Sequence, residues 1–265
     1  MSQLTLPTAG DTAIGIYFPN VNDQTPPPME CRNGVWGYYN RHVAPPGRTY
    51  TVHLCEPAVK RLTIDFVLHG SGLGTEWVQR ATLNDQVVLA HANSWYRPES
   101  RTDWQLLVAD LAGLPALARI MRELSADARA VAIVEVLDAR DVGYLPCRSN
   151  VALIASVGTG NGVADSALAR LVADQHPAEG RGYCWFGGEA SQARAIRQFF
   201  RGEIGWDADQ LDVMGYWQRD SEAWNRRYAR IGSQLFGIYE KALAEGKSAK
   251  LASEEFEAAL ERAGL

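Results

Sequence analysis

At 265 residues, with 46% hydrophobic and 22% charged residues, the chain has room for one large domain or two modest ones and the composition of a soluble globular protein. Its net charge of −5 gives no basis for nucleic-acid binding, no apolar run reaches the roughly 18 residues of a membrane helix, and the start Met-Ser-Gln-Leu-Thr lacks the basic and apolar regions of a secretory signal. Cys31, Cys55, Cys147 and Cys184 are far apart, with no C-x-x-C pair and no histidine at ligand spacing, so they read as reduced thiols of a cytoplasmic protein without a metal site.

Residues 13–19 alternate like a strand that Pro19 ends, and the Pro/Gly/Asn-rich stretch up to Gly47 reads as a long loop. The next strand-like run, 48–55, alternates β-branched and aromatic residues. Arg48, Tyr50 and Val52 therefore share one face, and Thr49, Thr51 and His53 the other. A guanidinium beside a phenol ring suits a ligand that carries both a pyrophosphate and a planar ring system; the competing reading is an ordinary half-buried strand with one exposed arginine. Two more strands are expected at 61–68 and 86–91, set off by Glu56-Pro57 and Asn84-Asp85. Strands without intervening helices indicate an antiparallel barrel or sandwich. Trp95 and Tyr96, just beyond, read as core packing or as a cover over a barrel end.

From about residue 101 strands alternate with helices: strands at 104–109, 130–136, 151–157, 183–186 and 212–215, and helices at 116–124, 163–174 and 191–202. That order implies a mostly parallel sheet covered on both faces. From Ser221 two amphipathic helices follow, split near Gly246, and Tyr228, Ile231, Leu235 and Ile238 form an apolar stripe expected to dock on the α/β domain. Arg194, Arg197 and Arg201 read as a solvated helix face.

Three segments of this half sit at strand ends where ligands bind. Gly158-Thr159-Gly160-Asn161-Gly162 is either a phosphate-cradling loop or a flexible connector. Asp110-Leu111-Ala112-Gly113-Leu114-Pro115-Ala116 lies at the carboxyl end of the first parallel strand, where open α/β sheets hold nucleotides. Trp185-Phe186-Gly187-Gly188-Glu189-Ala190-Ser191 either brings backbone close to a ligand or is a tight strand-to-helix turn with Glu189 capping the dipole. Tyr216 and Trp217 read equally as core aromatics.

In order along the chain, these segments resemble the motifs of the siderophore-interacting family of FAD-dependent ferric reductases. R-x-Y-[ST]-x-R is matched at Arg48, Tyr50 and Thr51 but ends in His53. D-F-V-x-H-G is matched at Asp65, Phe66, Val67, His69 and Gly70, and G-P-A-S-x-W loosely by Gly72-Leu73-Gly74-Thr75-Glu76-Trp77. Further on, Asp110, Leu114, Pro115 and Ala116 match D-E-T-A-L-P-A, residues 185–191 are similar to W-x-x-G-E-A-[ST], and Gly215-Tyr216-Trp217 to G-Y-W-[RK]-x-G, with Gln218 at the basic position.

The resemblance implies an N-terminal antiparallel flavin-binding β-barrel (1–100), a parallel α/β NAD(P)H-binding domain (101–220) and a C-terminal helical extension (221–265). Family members usually carry further strands before the segment matching 13–19, so the barrel is expected to be short of strands or to start differently. FAD and NADH or NADPH are the implied cofactors and a ferric siderophore the implied partner, with a monomer as the working expectation and no stable membrane insertion. By the same resemblance Arg48 takes a phosphate, Tyr50 lies against the isoalloxazine, Thr51 sits near its polar edge, and His53 belongs to the same motif. Asp65, Phe66 and Val67 line the ribityl or adenine portion, and His69, Gly72 and Thr75 the pyrophosphate turn. Asp110, Leu114, Pro115, Gly188, Glu189 and Trp217 are the expected nicotinamide-side residues, and no acid–base catalyst is required. The alternatives are a flavin reductase for another acceptor, or a flavin-poor binding protein on the same fold.

Overall fold

A computed structural model describes residues 6–263, apart from 21–22, 24, 33–34, 41–43, 69–71, 176–177 and 220. In its first third the strands are β1 (Ala13–Tyr17), β2 (Glu30–Arg32), β3 (Val35–Gly37), β4 (Gly47–Thr51), β5 (Leu54–Glu56) and β6 (Arg61–Thr63), followed by helix α1 (Leu73–Arg80) and β7 (Val88–Asn93). Central β1 pairs antiparallel with β4 and β7, while β2–β3 and β5–β6 form separate two-stranded ribbons. Ile14, Ile16, Phe18 and Val52 make the core of this part, with Tyr50, Phe66 and Trp77 packed around them.

Three local expectations change here. The strand expected over 48–55 stops at Thr51, because Val52 N–H bonds the Thr12 carbonyl and His53 N–H the Thr63 carbonyl, so the chain changes partners in mid-run. The strand expected over 61–68 keeps only its first three residues. The turn expected after Gly72 is helix α1, which Gly72 enters at φ 133°, a conformation open to glycine. The long loop before Gly47 contains the β2–β3 ribbon.

The second part runs β8 (Trp104–Ala109), α2 (Leu114–Glu123), β9 (Ala130–Val136), β10 (Val151–Val157), α3 (Leu168–Ala173), β11 (Gly182–Glu189), α4 (Ala190–Gln198) and β12 (Leu211–Trp217). All five strands are parallel, in the order β10-β9-β8-β11-β12. Strands β8 to β10 have the expected bounds, since each is a compact apolar run. The helix expected over 163–174 shortens to α3, because the chain up to Ala167 is spent wrapping the sheet edge. Strand β11 continues three residues beyond Phe186, with Gly187 and Gly188 still paired to β12. Helix α2 covers one face of the sheet, and α3 and α4 cover the other. At the edge, β10 leaves Leu153 42% and Val157 47% exposed.

Beyond β12, helices α5 (Ser221–Ala244) and α6 (Ala249–Arg262) form a hairpin that turns at Gly246, φ 82°. Helix α5 packs against α6, where Phe236, next to the stripe residue Leu235, meets Phe256 edge-on with ring centres 5.9 Å apart. It is α6 that docks, through Arg197–Glu257, Arg201–Glu254 (3.6 Å) and Lys250–Asp212 (2.9 Å). Arg197 and Arg201 are thus a docking face and not a solvated one.

The two halves are joined through a buried carboxylate. Asp11 accepts the backbone N–H groups of Trp95 (2.9 Å) and Tyr96 (2.7 Å) and the Trp185 indole N–H (3.1 Å). Gly10 lies so close to α2 that a Cβ there would sit 2.9 Å from the Ile120 backbone.

Strand order reverses between β8 and β11, so the turn after β8 crosses the end of β11 at the switch point. A Cβ on Gly113 would lie 1.9 Å from the Gly187 carbonyl oxygen, although Gly113 has an unstrained φ of −85°. Gly113→Ala is expected to destabilise the protein by about 3 kcal/mol through overpacking alone. Urea denaturation at unchanged slope measures it, and a midpoint equal to wild type would refute the contact.

Candidate functional site

At the switch point the carboxyl ends of β8, β11 and β12 converge on Asp110. Its side chain is 1% exposed and accepts four N–H groups: Ala112 (2.8 Å), Gly113 (3.3 Å), Glu189 (2.9 Å) and the Trp217 indole (2.6 Å). Burial raises its pKa to about 6 against the opposing pull of those donors, so it is ionised at neutral pH. Gly188 is required beside it, since a Cβ would come within 2.8 Å of the carboxylate. Leu114 and Pro115 are buried in the first turn of α2. Asp110, Leu114 and Pro115 therefore shape this edge from within and present no polar edge to a ligand. Glu189 caps α4, accepting from Ser191 N–H (2.8 Å) and Gln192 N–H (3.3 Å).

The glycine loop closes over the neighbouring strands. Buried Glu135 accepts from Thr159 Oγ1 (2.8 Å) and Ala167 N–H (2.6 Å), and Asn161 accepts Leu111 N–H (2.9 Å). Gly158, Gly160 and Gly162 all have positive φ, and a Cβ on Gly160 would overlap the Glu135 carboxylate. The loop is neither a flexible connector nor an open cradle: its polar groups are spent on the sheet edge.

The barrel side brings β4 to the same seam. Tyr50 stacks obliquely on Phe66, ring centres 4.3 Å apart, and its hydroxyl fills the space over Gly74, where a Cβ would lie 1.7 Å away. Thr75 is buried beside it, while Val67 is exposed. Arg48 is exposed and makes, among the described residues, one hydrogen bond, to the Gly47 carbonyl (2.8 Å). Gly72 offers α1 no side-chain cap, and its own N–H is accepted by Glu76 Oε1 (3.3 Å) from the first turn. On the opposite face of β4, buried Thr51 faces the enclosed Tyr216 hydroxyl, which makes no hydrogen bond of ordinary geometry. His53 Nδ1 lies 2.5 Å from Asp65 Oδ2 and 2.8 Å from the hydroxyl of Tyr144, which also bonds Asp65. His69 and Gly70 lie outside the described residues.

An exposed guanidinium, a helix start entered through Gly72, and an aromatic pair beside them have the chemistry of a diphosphate joined to a planar ring, so these residues fit FAD. The seam between β4 and the β11–β12 ends is contributed by both halves of the chain. Asp11, Glu135 and Tyr144 were not identifiable from sequence, because their partners are distant along the chain and no local pattern marks them. A hollow of about 580 Å³ lies at the amino end of β12, where Arg97, Lys250 and several carboxylates line it beside α6.

Residues 2–94 match the siderophore-interacting FAD-binding domain and residues 102–220 the siderophore-interacting protein family. An NADPH-dependent ferric-chelate reductase of Escherichia coli is 29% identical over 209 residues, 76% of this chain and 77% of that protein. A ferric vibriobactin reductase of Vibrio cholerae is 26% identical over 213 residues, 78% of this chain and 76% of that one. The crystal structure of a siderophore utilization protein from T. fusca superposes with a TM-score of 0.69 at 28% identity, covering 82% of each chain.

Asp110→Asn is expected to cost about 2–4 kcal/mol at pH 7, because the amide turns N–H groups toward the Glu189 and Trp217 donors and leaves both unpaired. Trp217 emission should shift to the red. The pH dependence has the sign of a raised carboxyl: the stability owed to Asp110 is complete below about pH 4 and declines as the pH rises through about 6. Urea titrations at several pH values should show that slope in wild type and not in the variant; equal slopes would refute the burial.

Proposed function

The chain belongs to the siderophore-interacting protein family, and from that membership we propose that it passes electrons from NADH or NADPH through FAD to Fe(III) held by a siderophore, releasing the metal as Fe(II). One observation supports this most directly: the flavin-side strand and the nucleotide-side strands end at one seam, with Thr51 facing Tyr216 and Trp217 anchored beside Glu189. When bound, FAD supplies the conversion of a two-electron donation by nicotinamide into single electrons for iron.

The chain's own groups bind, orient and exclude. Arg48 and the backbone at the start of α1 hold diphosphate oxygens, and Tyr50 with Phe66 sets the plane beside them. Thr51 offers a hydroxyl at the seam. Asp110 acts at one remove, fixing the Trp217 indole and the Gly188–Glu189 backbone that border the nicotinamide side. Leu114 and Pro115 set the start of α2 and with it the floor of the crevice. Gly72 and Thr75 shape the α1 turn. The proposal requires no proton transfer by a side chain to the iron complex.

Contact groups near the acceptor are weakly charged. Gln218 follows Trp217, and His53 is paired with Asp65. Arg97 is bonded to the Ser94 carbonyl, Arg101 pairs with Glu99 and Asp209, and Arg41 lies outside the described residues. Exposed Arg219, Arg227 and Arg230 beyond β12 act through a field that salt screens. A hydroxamate or mixed hydroxamate ferric complex is therefore the proposed acceptor class, over a highly anionic tris-catecholate.

Arg48→Ala should weaken FAD binding by about 10- to 150-fold, the loss of a charge-assisted contact worth about 1.5–3 kcal/mol. A variant that purifies with wild-type flavin content would show that the diphosphate lies elsewhere. Anaerobic NADH- or NADPH-driven Fe(II) production, trapped with a ferrous chelator, should run faster with the hydroxamate complex and change little with salt. Faster, strongly salt-suppressed turnover of the tris-catecholate would refute the acceptor assignment.

A further inference from the structure

His53, Asp65 and Tyr144 meet across the boundary between the halves: the first two flank the β5–β6 ribbon, and Tyr144 ends the short helical turn Ala139–Tyr144 after β9. An ionised carboxylate only accepts, so Asp65 Oδ2 takes both the Tyr144 O–H and the His53 Nδ1–H. The ring is then held in one tautomer, with Nε2 bare and, among the described residues, without a hydrogen bond. The cluster is sheltered, His53 being 20% exposed in its side chain, and burial together with the Asp65 carboxylate raises the Tyr144 pKa, which keeps its proton in place for donation. His53 follows Thr51 on the face of the chain that turns toward the second half.

We propose that Tyr144 is a positioning residue of the flavin site, which with Asp65 locks His53 so that its Nε2 takes up a proton when the bound ring is reduced. This deepens the flavin reading above and rests on it. Reduction of a bound flavin would bring two electrons and one proton to the ring, and His53 Nε2 would take a second proton from the acid form of the solvent buffer, giving an imidazolium. The charged groups around His53 are Asp65, Arg119 of α2, whose Nη1 bonds the Val52 carbonyl (3.2 Å), Arg122, which acts on Tyr144, and Glu123, which pairs with Arg119.

Two measurements test the proposal. In apoprotein at pH 8, ¹⁵N NMR of His53 should show the Nδ1–H tautomer, giving way to a mixture in Tyr144→Phe. In FAD-loaded protein, spectroelectrochemistry should give a reduction potential that over part of the pH range falls about twice as steeply per pH unit as in His53→Gln, the slope expected for two protons against one per two electrons. Tyr144→Phe should move or flatten that steep region while keeping FAD. An Nε2–H tautomer in wild type, or equal slopes in wild type, Tyr144→Phe and His53→Gln, would overturn the role of Tyr144 and leave the flavin reading standing. Apoprotein that takes up no FAD would overturn both.

Discussion

Two carboxylates buried without a cation hold this molecule's working parts together. Asp11 gathers N–H groups from the segment joining the halves and from Trp185 in the middle of the parallel sheet. Asp110 gathers them from the turn after β8, the end of β11 and the end of β12. A carboxylate in such a place is costly unless every lone pair is used, and backbone N–H groups cannot swing away as a lysine can. Each aspartate therefore fixes several loops at once. Burial is the leading influence on both and raises both pKa values, which is the signature of a charge kept for geometry.

Because those aspartates stitch separate pieces, the candidate site belongs to neither half. Thr51 comes from an antiparallel sheet and Tyr216 from a parallel one, and the His53–Asp65 pair is completed by Tyr144 from beyond β9. A ligand at the seam is gripped only while the halves are docked. The crowding of Gly10 against Ile120 leaves little freedom for them to slide.

Much of this was legible in the sequence where physics is local. Compact apolar runs marked β8, β9 and β10, and the alternation of strand and helix announced a parallel sheet. Motif order put Arg48, Tyr50, Asp110 and Trp217 among the residues expected on the cofactor side. What was hidden depends on partners far away in the chain. The break after Thr51 follows from Val52 and His53 bonding different neighbours, and α1 forms where the composition suggested a turn. Asp110 stood out by its motif, yet only the structure shows it buried and bonded to the Trp217 indole. Asp11 and Trp185 are 174 residues apart, a pairing no window of sequence contains.

The outer strand of the parallel sheet carries a liability of its own. Strand β10 reads Val-Ala-Leu-Ile-Ala-Ser-Val, seven residues with no charge and no proline, one edge of its backbone unpaired within the sheet. Lysines, prolines and bulges are the usual guards against strand addition by a neighbour, and β10 has none of them. Its half-exposed leucine and valine make the same stretch sticky as well as hydrogen-bond hungry. This rim, remote from the seam, is therefore where strand addition by a second molecule would begin, so a chain sound in its chemistry would still carry a route to self-association.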